Sequence, residues 1–280
     1  MTGSNWQNVA VVDYRKLRDA RLLAHYGTQW LARAARAYVP ARPREGHTSL
    51  GWDDRFRGLV THALPGGSRL GLRIPDLTLT ILDSNDALPL DGRAEPEVRA
   101  WLAAKLGARG FDAAKLDAPV PYDMPHNAVA LGARYSVEEL TGPLNALAVW
   151  FANGNAMLNA VRDGLLKRRL KAPEVRCWPH HFDMDSLIQL GGNRAVGSGF
   201  CPGDEFCDEP YFYISIDPEP YIPALPLLPP VGHWHSYKFI AALAPAHKIV
   251  ASPDQRRDIA GFFDISIDAA LEALGRSNRD

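Results

Sequence analysis

Three short runs of alternating residues between Trp178 and Pro220 constrain the fold of this chain most strongly. They span residues 180–190, 194–201 and 211–217. In each run, alternate positions divide into an apolar set and a polar or small set, which is the period of a β-strand with one buried face. Loops that contain glycine, proline and acidic residues separate the runs. The segment therefore predicts an antiparallel sheet with one apolar face and one polar face.

Ionisable residues occupy the polar face at the start of the first run. If 180–190 is one strand, His181, Asp183 and Asp185 lie on the same face, about 6.5 Å apart along the strand. We therefore predict that His181 and Asp183 act as an acid–base or ligand pair. A divalent metal such as zinc would suit a set formed by His181, Asp183, Cys201 and His233. The alternative is a hydrogen-bonded strand face on which the cysteine behaves as a small apolar residue.

Aromatic and polar side chains of the same stretch predict the lining of a small-molecule pocket. Its predicted members are Trp178, His180, Asp185, Tyr211, Tyr213 and Trp234. Aromatic residues in strands also fill ordinary cores, so this interpretation competes with plain packing. Cys201 precedes Pro202 and Gly203, a pattern that allows an exposed turn where a thiolate could act as a nucleophile, and the alternative is a turn cysteine without a catalytic role.

Residues 178–220 resemble a bacterial domain family of unknown function. The shared pattern is a Trp shortly before Phe-Asp, then Gly-Phe-x-Pro-Gly at 199–203, Pro-x-Phe-Tyr at 210–213 and Pro-Glu-Pro at 218–220. The resemblance implies a common fold and no particular activity. In that family a histidine lies upstream of the Trp, whereas His180 and His181 follow Trp178 here, so no histidine role is carried over.

Helical and strand patterns repeat along the chain. Apolar periodicity predicts helices at 14–38, 96–106 and 144–169 and a final helix ending near 274, with further strands at 56–64, 69–74 and 77–82. The order of helix, strands and helix therefore occurs twice, at 1–110 and 136–280, around a connection at 111–135. We predict an α+β fold of two related halves, with internal duplication as the hypothesis, packed as one compact unit.

The composition of the chain argues against several classes of partner. The chain has 31 basic and 32 acidic residues, which argues against a nucleic-acid partner. It has no apolar run of about 18 residues, so no membrane partner is expected. Its three cysteines and the absence of a signal-peptide pattern predict a cytoplasmic protein. The predicted partner is an unknown small molecule. The competing class is a homo-oligomeric assembly protein that uses the polar strand face and the proline-rich arm at 218–230.

Overall fold

The computed structural model describes residues 6–84, 86–222 and 225–276. Within these ranges the chain is α+β, with five α-helices and two antiparallel sheets. It divides into two compact units. The first unit comprises residues 12–148 and 176–182, and the second comprises residues 6–11, 149–175 and 183–276. Helix α3 (Thr141–Lys167) contributes residues to both.

The first unit combines a long buried helix with a five-stranded sheet. Helix α1 (Tyr14–Tyr38) begins after Asp13, whose carboxylate accepts the backbone N–H groups of Arg15 and Lys16 and so satisfies donors that a helix start leaves free. The strands are β1 (Gly51–Asp53), β2 (Gly58–Val60), β3 (Leu70–Arg73), β4 (Thr78–Ile81) and β5 (Ala87–Pro89). They pair in chain order. Helix α2 (Glu95–Gly107) and strand β6 (Arg176–Trp178) follow.

The strands predicted at 56–64 and 69–74 are present as β2 and β3, which are shorter than predicted. β2 and β3 pair antiparallel. The predicted strand at 56–64 is too long, because the Asp53 carboxylate accepts the backbone N–H groups of Arg55 and Phe56 and forms a turn just before β2. Strand β5 was missed, since three residues ending in proline carry no readable alternation.

The second unit contains the three runs that the sequence singled out. Its elements are β7 (Asp183–Gly191), β8 (Arg194–Cys201), β9 (Tyr211–Asp217), β10 (His233–His235), β11 (Ala241–Pro245), α4 (Ala246–Val250) and α5 (Gln255–Arg276). Within the unit the strands follow the order β10-β11-β9-β8-β7, with every pair antiparallel. This order differs from the sequential order of the first sheet, so the internal duplication is not confirmed.

Aromatic side chains attach one face of the second sheet to the helices. Phe200 of β8 contacts Trp150 and Phe151 of α3 at ring-centroid distances of 6.2 and 5.5 Å, and Phe212 of β9 contacts Phe263 of α5 at 5.7 Å. Each such buried ring contributes about 1.5–3 kcal/mol. Since these residues turn toward the helices, the alternate residues of the same strands turn away from them.

Strand β7 begins later than predicted. The backbone N–H groups of His181 and Phe182 both donate to the carbonyl of Trp178, at 3.2 and 2.7 Å, and Phe182 adopts a positive φ of 60°. A turn therefore precedes the strand, and His180 and His181 lie in it. The predicted row of His181, Asp183 and Asp185 along one strand face is wrong, because alternation starts only at Asp183.

Candidate functional site

The polar face of the second sheet carries a group of ionisable and small residues. Strand pairing places Asp185 opposite Gly199 and Gly199 opposite Tyr213. In the next row of the same face, Leu187 is opposite Gly197 and Gly197 is opposite Ser215. Alternation puts further side chains on the same face. We call this set the polar face: Asp183, Asp185 and Leu187 of β7, Gly197, Gly199 and Cys201 of β8, and Tyr211, Tyr213 and Ser215 of β9.

Asp183 is the most unusual group on the polar face. Its Oδ2 accepts a hydrogen bond from the Tyr213 hydroxyl at 2.7 Å, whereas its Oδ1 is buried and has no hydrogen-bond partner. The pKa of the Asp183 carboxyl is raised to about 6, because burial outweighs the lowering effect of the hydrogen bonds from Tyr213 and from its own backbone N–H, and the nearby charge of Asp204 adds to the rise. At neutral pH the group therefore gains and loses a proton readily.

Glycine in β8 allows Tyr213 to reach Asp183. A Cβ at Gly199 would overlap the ring of Tyr213, so this ring lies directly over the glycine backbone. Burial raises the pKa of the Tyr213 hydroxyl well above its usual value, and the charges of Asp183 and Asp185 raise it further. The hydroxyl thus stays protonated and donates to Asp183.

Asp204 organises the loop next to the polar face. Its Oδ1 accepts the backbone N–H groups of Phe206 and Cys207, both at 2.9 Å, which closes an Asx turn. Its Oδ2 accepts the hydroxyl of Tyr211 at 2.6 Å. This residue was missed as part of the site, although an aspartate after Pro-Gly is a recognisable turn signal.

Cys201 does not lie in an exposed turn, so the structure does not support the hypothesis of a nucleophilic turn cysteine. It is the last residue of β8 and only 3% exposed, packed in a cluster with Tyr211, Ala241 and Leu243. Burial raises the pKa of its thiol, and the charges of Asp204 and Asp183 raise it further. A thiol held protonated is a poor nucleophile, so the arrangement disfavours covalent catalysis by this cysteine.

Not all the predicted pocket residues share the polar face. Asp185, Tyr211 and Tyr213 do. Trp234 pairs with Ala242, which pairs with Ile214, so it lies on the opposite face, and its indole N–H donates to the Pro226 carbonyl at 2.8 Å. His233 has the same orientation as Tyr213, but Leu243 of β11 lies between them.

The remaining predicted residues belong to the first unit. Trp178 ends β6, and its ring centroid lies 6.0 Å from that of His180. Burial, together with the neighbouring His181, lowers the pKa of His180 to about 4. His181 is exposed in the turn, with its ring 4.2 Å from that of His180. The neutral His180 imidazole also contacts the ring of Tyr122, at 5.7 Å.

The predicted metal ligands do not form a cluster. In the part of the chain that the structure describes, no group of three or more His, Cys, Asp or Glu residues is arranged to hold a metal ion. Asp183 and Cys201 lie on the polar face, His233 lies beyond β11, and His181 is in the turn before β7. The acidic polar face therefore offers a protonatable carboxyl rather than a convergent ligand set.

No helix among the described residues combines the length and the apolar character needed to cross a bilayer.

Comparison with other proteins adds no further assignment to this geometry. Comparisons with protein-family models, with curated proteins and with solved structures found no match to this chain.

Proposed function

We propose that this chain binds a small molecule at the polar face of the second sheet and exchanges a proton with it through Asp183. The observation that carries the proposal is the Asp183 carboxyl itself, which has one oxygen held by Tyr213 and one buried oxygen without a partner. General acid–base catalysis works best when the pKa of the acting group lies near the working pH. A pKa of about 6 meets that requirement.

The surroundings of Asp183 favour a ligand that donates hydrogen bonds. Oδ1 can accept from an N–H or O–H group, directly or through one water molecule. Asp185 and Asp204 add negative charge nearby, which favours an amine or another cationic group over an anion. Asp183, Asp185 and Tyr213 are each partly exposed as residues, so a modest shift of neighbouring groups would open Oδ1 to the ligand.

In this proposal Tyr213 is a positioning residue. Its hydroxyl fixes the orientation of the carboxyl and stabilises the ionised form, and Gly199 gives the ring the space to do so. The Asp204 turn fixes Tyr211 and the adjoining loop in the same way. Three free cysteines support a reducing, cytoplasmic location as part of the same proposal.

A screen of small amines and alcohols by thermal shift, followed by calorimetry in two buffers of different ionisation enthalpy, tests the proposal. A hit that uses Asp183 should bind with a net proton transfer in wild type and with none in Asp183→Asn. The Asp264→Asn variant removes an exposed carboxylate from α5 and should behave as wild type. Hits with equal affinity and equal proton transfer in all three proteins would contradict the proposal.

An assembly role is the second candidate, because large apolar side chains are exposed in and near the proline-rich arm. Tyr221, Leu227 and Tyr237 are 77%, 95% and 70% exposed. Such groups are common at protein interfaces. Sedimentation analysis of wild type and Leu227→Ser tests this role, and a monomer at all concentrations would contradict it.

A further inference from the structure

A lysine side chain lies between two exposed aromatic rings of the second unit. The ammonium nitrogen of Lys238 is 5.4 Å from the ring centroid of Phe206 and 5.5 Å from that of Tyr237, over the face of each ring. Phe206 belongs to the β8–β9 loop (202–210), and Tyr237 and Lys238 belong to the β10–β11 loop (236–240). Aromatic faces attract cations, so the place that the Lys238 nitrogen occupies suits a positively charged group.

The two loops leave the sheet at opposite ends. Tyr211, the first residue of β9, pairs with Pro245, the last residue of β11. The β8–β9 loop therefore starts at one end of β11, and the β10–β11 loop lies at the other. Phe206 nevertheless contacts Phe239 at a ring-centroid distance of 5.2 Å. The β8–β9 loop must fold back along the sheet to bring Phe206 to the second loop.

The contact between the loops adjoins the polar face. Cys207 and Phe239 both pack against a buried cluster that includes Cys201 and Tyr211. These two residues are members of the polar face as defined above. The exposed rings therefore lie on the same side of the sheet as the polar face.

Local hydrogen bonds fix the rings that flank Lys238. The backbone N–H of Phe206 donates to the Asp204 carboxylate at 2.9 Å, and Nε2 of His235 donates to the carbonyl of Tyr237 at 2.8 Å. Lys238 itself has a φ of 66°, a left-handed conformation that is uncommon for residues other than glycine. Such conformations persist where surrounding contacts hold them, and they are frequent at ligand sites.

Acidic residues flank the rings and select the sign of a ligand. The β8–β9 loop contains no basic residue and four acidic ones, Asp204, Glu205, Asp208 and Glu209. On the other loop, the Glu219 carboxylate accepts the backbone N–H of Ile240, which follows Phe239, at 3.3 Å. Negative charge around an aromatic pair favours a cation and disfavours an anion.

We propose that Phe206 and Tyr237 form a binding site for the ammonium group of a small organic cation, and that Lys238 occupies this site when no ligand is bound. An exposed contact between a lysine and a ring is weak, so a ligand can displace the side chain. The lysine ammonium is strongly hydrated. A quaternary ammonium group, which has no N–H to keep in water, therefore suits the two rings better. The site does not depend on the proton exchange proposed for Asp183.

NMR titration of the wild-type chain with tetramethylammonium chloride tests the site, with sodium chloride at equal ionic strength as the blank. We expect saturable shifts of the aromatic signals of Phe206 and Tyr237. Tert-butanol, an uncharged molecule of nearly the same size, should cause no saturable shift. Tetramethylammonium has no exchangeable proton, so its binding reports on the rings and is separate from any proton transfer at Asp183.

Two variants separate the ring from the internal cation. Tyr237→Leu should weaken binding of tetramethylammonium about fivefold or more, because one aromatic face is lost. Lys238→Met should strengthen it about two- to fivefold, because the ligand no longer has to displace the lysine. Lys167→Met is the control, since it removes an exposed lysine of α3 and should bind as wild type.

Three outcomes would overturn the proposal. One is equal shifts with tetramethylammonium and tert-butanol, which would indicate apolar contact alone. Another is the absence of saturable binding in both wild type and Lys238→Met. The third is an unchanged affinity in Tyr237→Leu or in Lys238→Met, which would leave the contacts of Lys238 as ordinary surface packing.

Discussion

Replacing Asp183 by asparagine should change how the stability of the chain depends on pH. The folded state holds this carboxyl at a pKa of about 6, against 3.8 for an ordinary aspartate. Between these two values the folded chain keeps a proton that the unfolded chain has released, so stability falls as pH rises from about 4 to about 6. The difference corresponds to about 3 kcal/mol that wild type loses over this range and does not regain at higher pH.

The asparagine variant should escape this loss. Its carbonyl oxygen can still accept from Tyr213, but its amide group replaces the buried oxygen that has no partner, at a cost of about 1 kcal/mol. We expect Asp183→Asn to be slightly less stable than wild type at about pH 4 and more stable by about 1–2 kcal/mol at about pH 8. Functional sites often contain residues, such as a buried carboxyl, whose replacement makes the folded chain more stable.

Urea unfolding from about pH 4 to pH 8 measures both curves. Asp264→Asn is the matched control, since it removes an exposed carboxylate of the same unit, and its curve should run parallel to that of wild type. The two curves for wild type and Asp183→Asn should cross. A constant difference between them across this pH range would refute the assignment of a raised pKa to Asp183.

Further predictions concern the groups around Asp183. Gly199→Ala should destabilise the chain by about 1–3 kcal/mol in urea unfolding, because the new methyl group overlaps the Tyr213 ring. The control is Gly261→Ala on α5, which should not destabilise the chain because its methyl group would enter open space. Tyr213→Phe should raise the pKa of Asp183 above its wild-type value in an NMR titration, since the lost hydroxyl stabilises the carboxylate; an unchanged or lower pKa would count against the hydrogen bond. Asp204→Ala should cost about 1–3 kcal/mol and speed the reaction of Cys201 with a thiol reagent, because the variant loses the hydrogen bonds from Phe206, Cys207 and Tyr211 and the contact with the Cys201 thiol at 3.9 Å. An unchanged rate would exclude a role of Asp204 in shielding Cys201.

The sequence predicts the regular elements of this fold well where one periodicity runs without interruption. Helix α1 has the bounds that its apolar periodicity predicts. Strands β8 and β9 have the bounds that the alternation of their residues predicts. Prediction fails where local hydrogen bonds override the pattern. The turn at His181 removes three residues, 180–182, from the expected strand, because a positive φ at Phe182 leaves no trace in hydrophobicity.

The candidate site was only partly predictable for a related reason. Asp183, Asp185, Tyr211 and Tyr213 could be assigned to one strand face because alternation fixes which side of a sheet each residue occupies. Asp204 acts through a loop, and its contact with Tyr211 depends on how that loop folds.

The pKa of the Asp183 side chain is the central quantity of the proposed function. It can be measured directly from the pH dependence of the carboxyl carbon signal in NMR, assigned by comparison with the spectrum of Asp183→Asn. The proposal predicts a midpoint at about 6, well above the ordinary 3.8. A midpoint at or below the ordinary value would show that Asp183 is fully ionised at neutral pH and would contradict its proposed role in proton exchange.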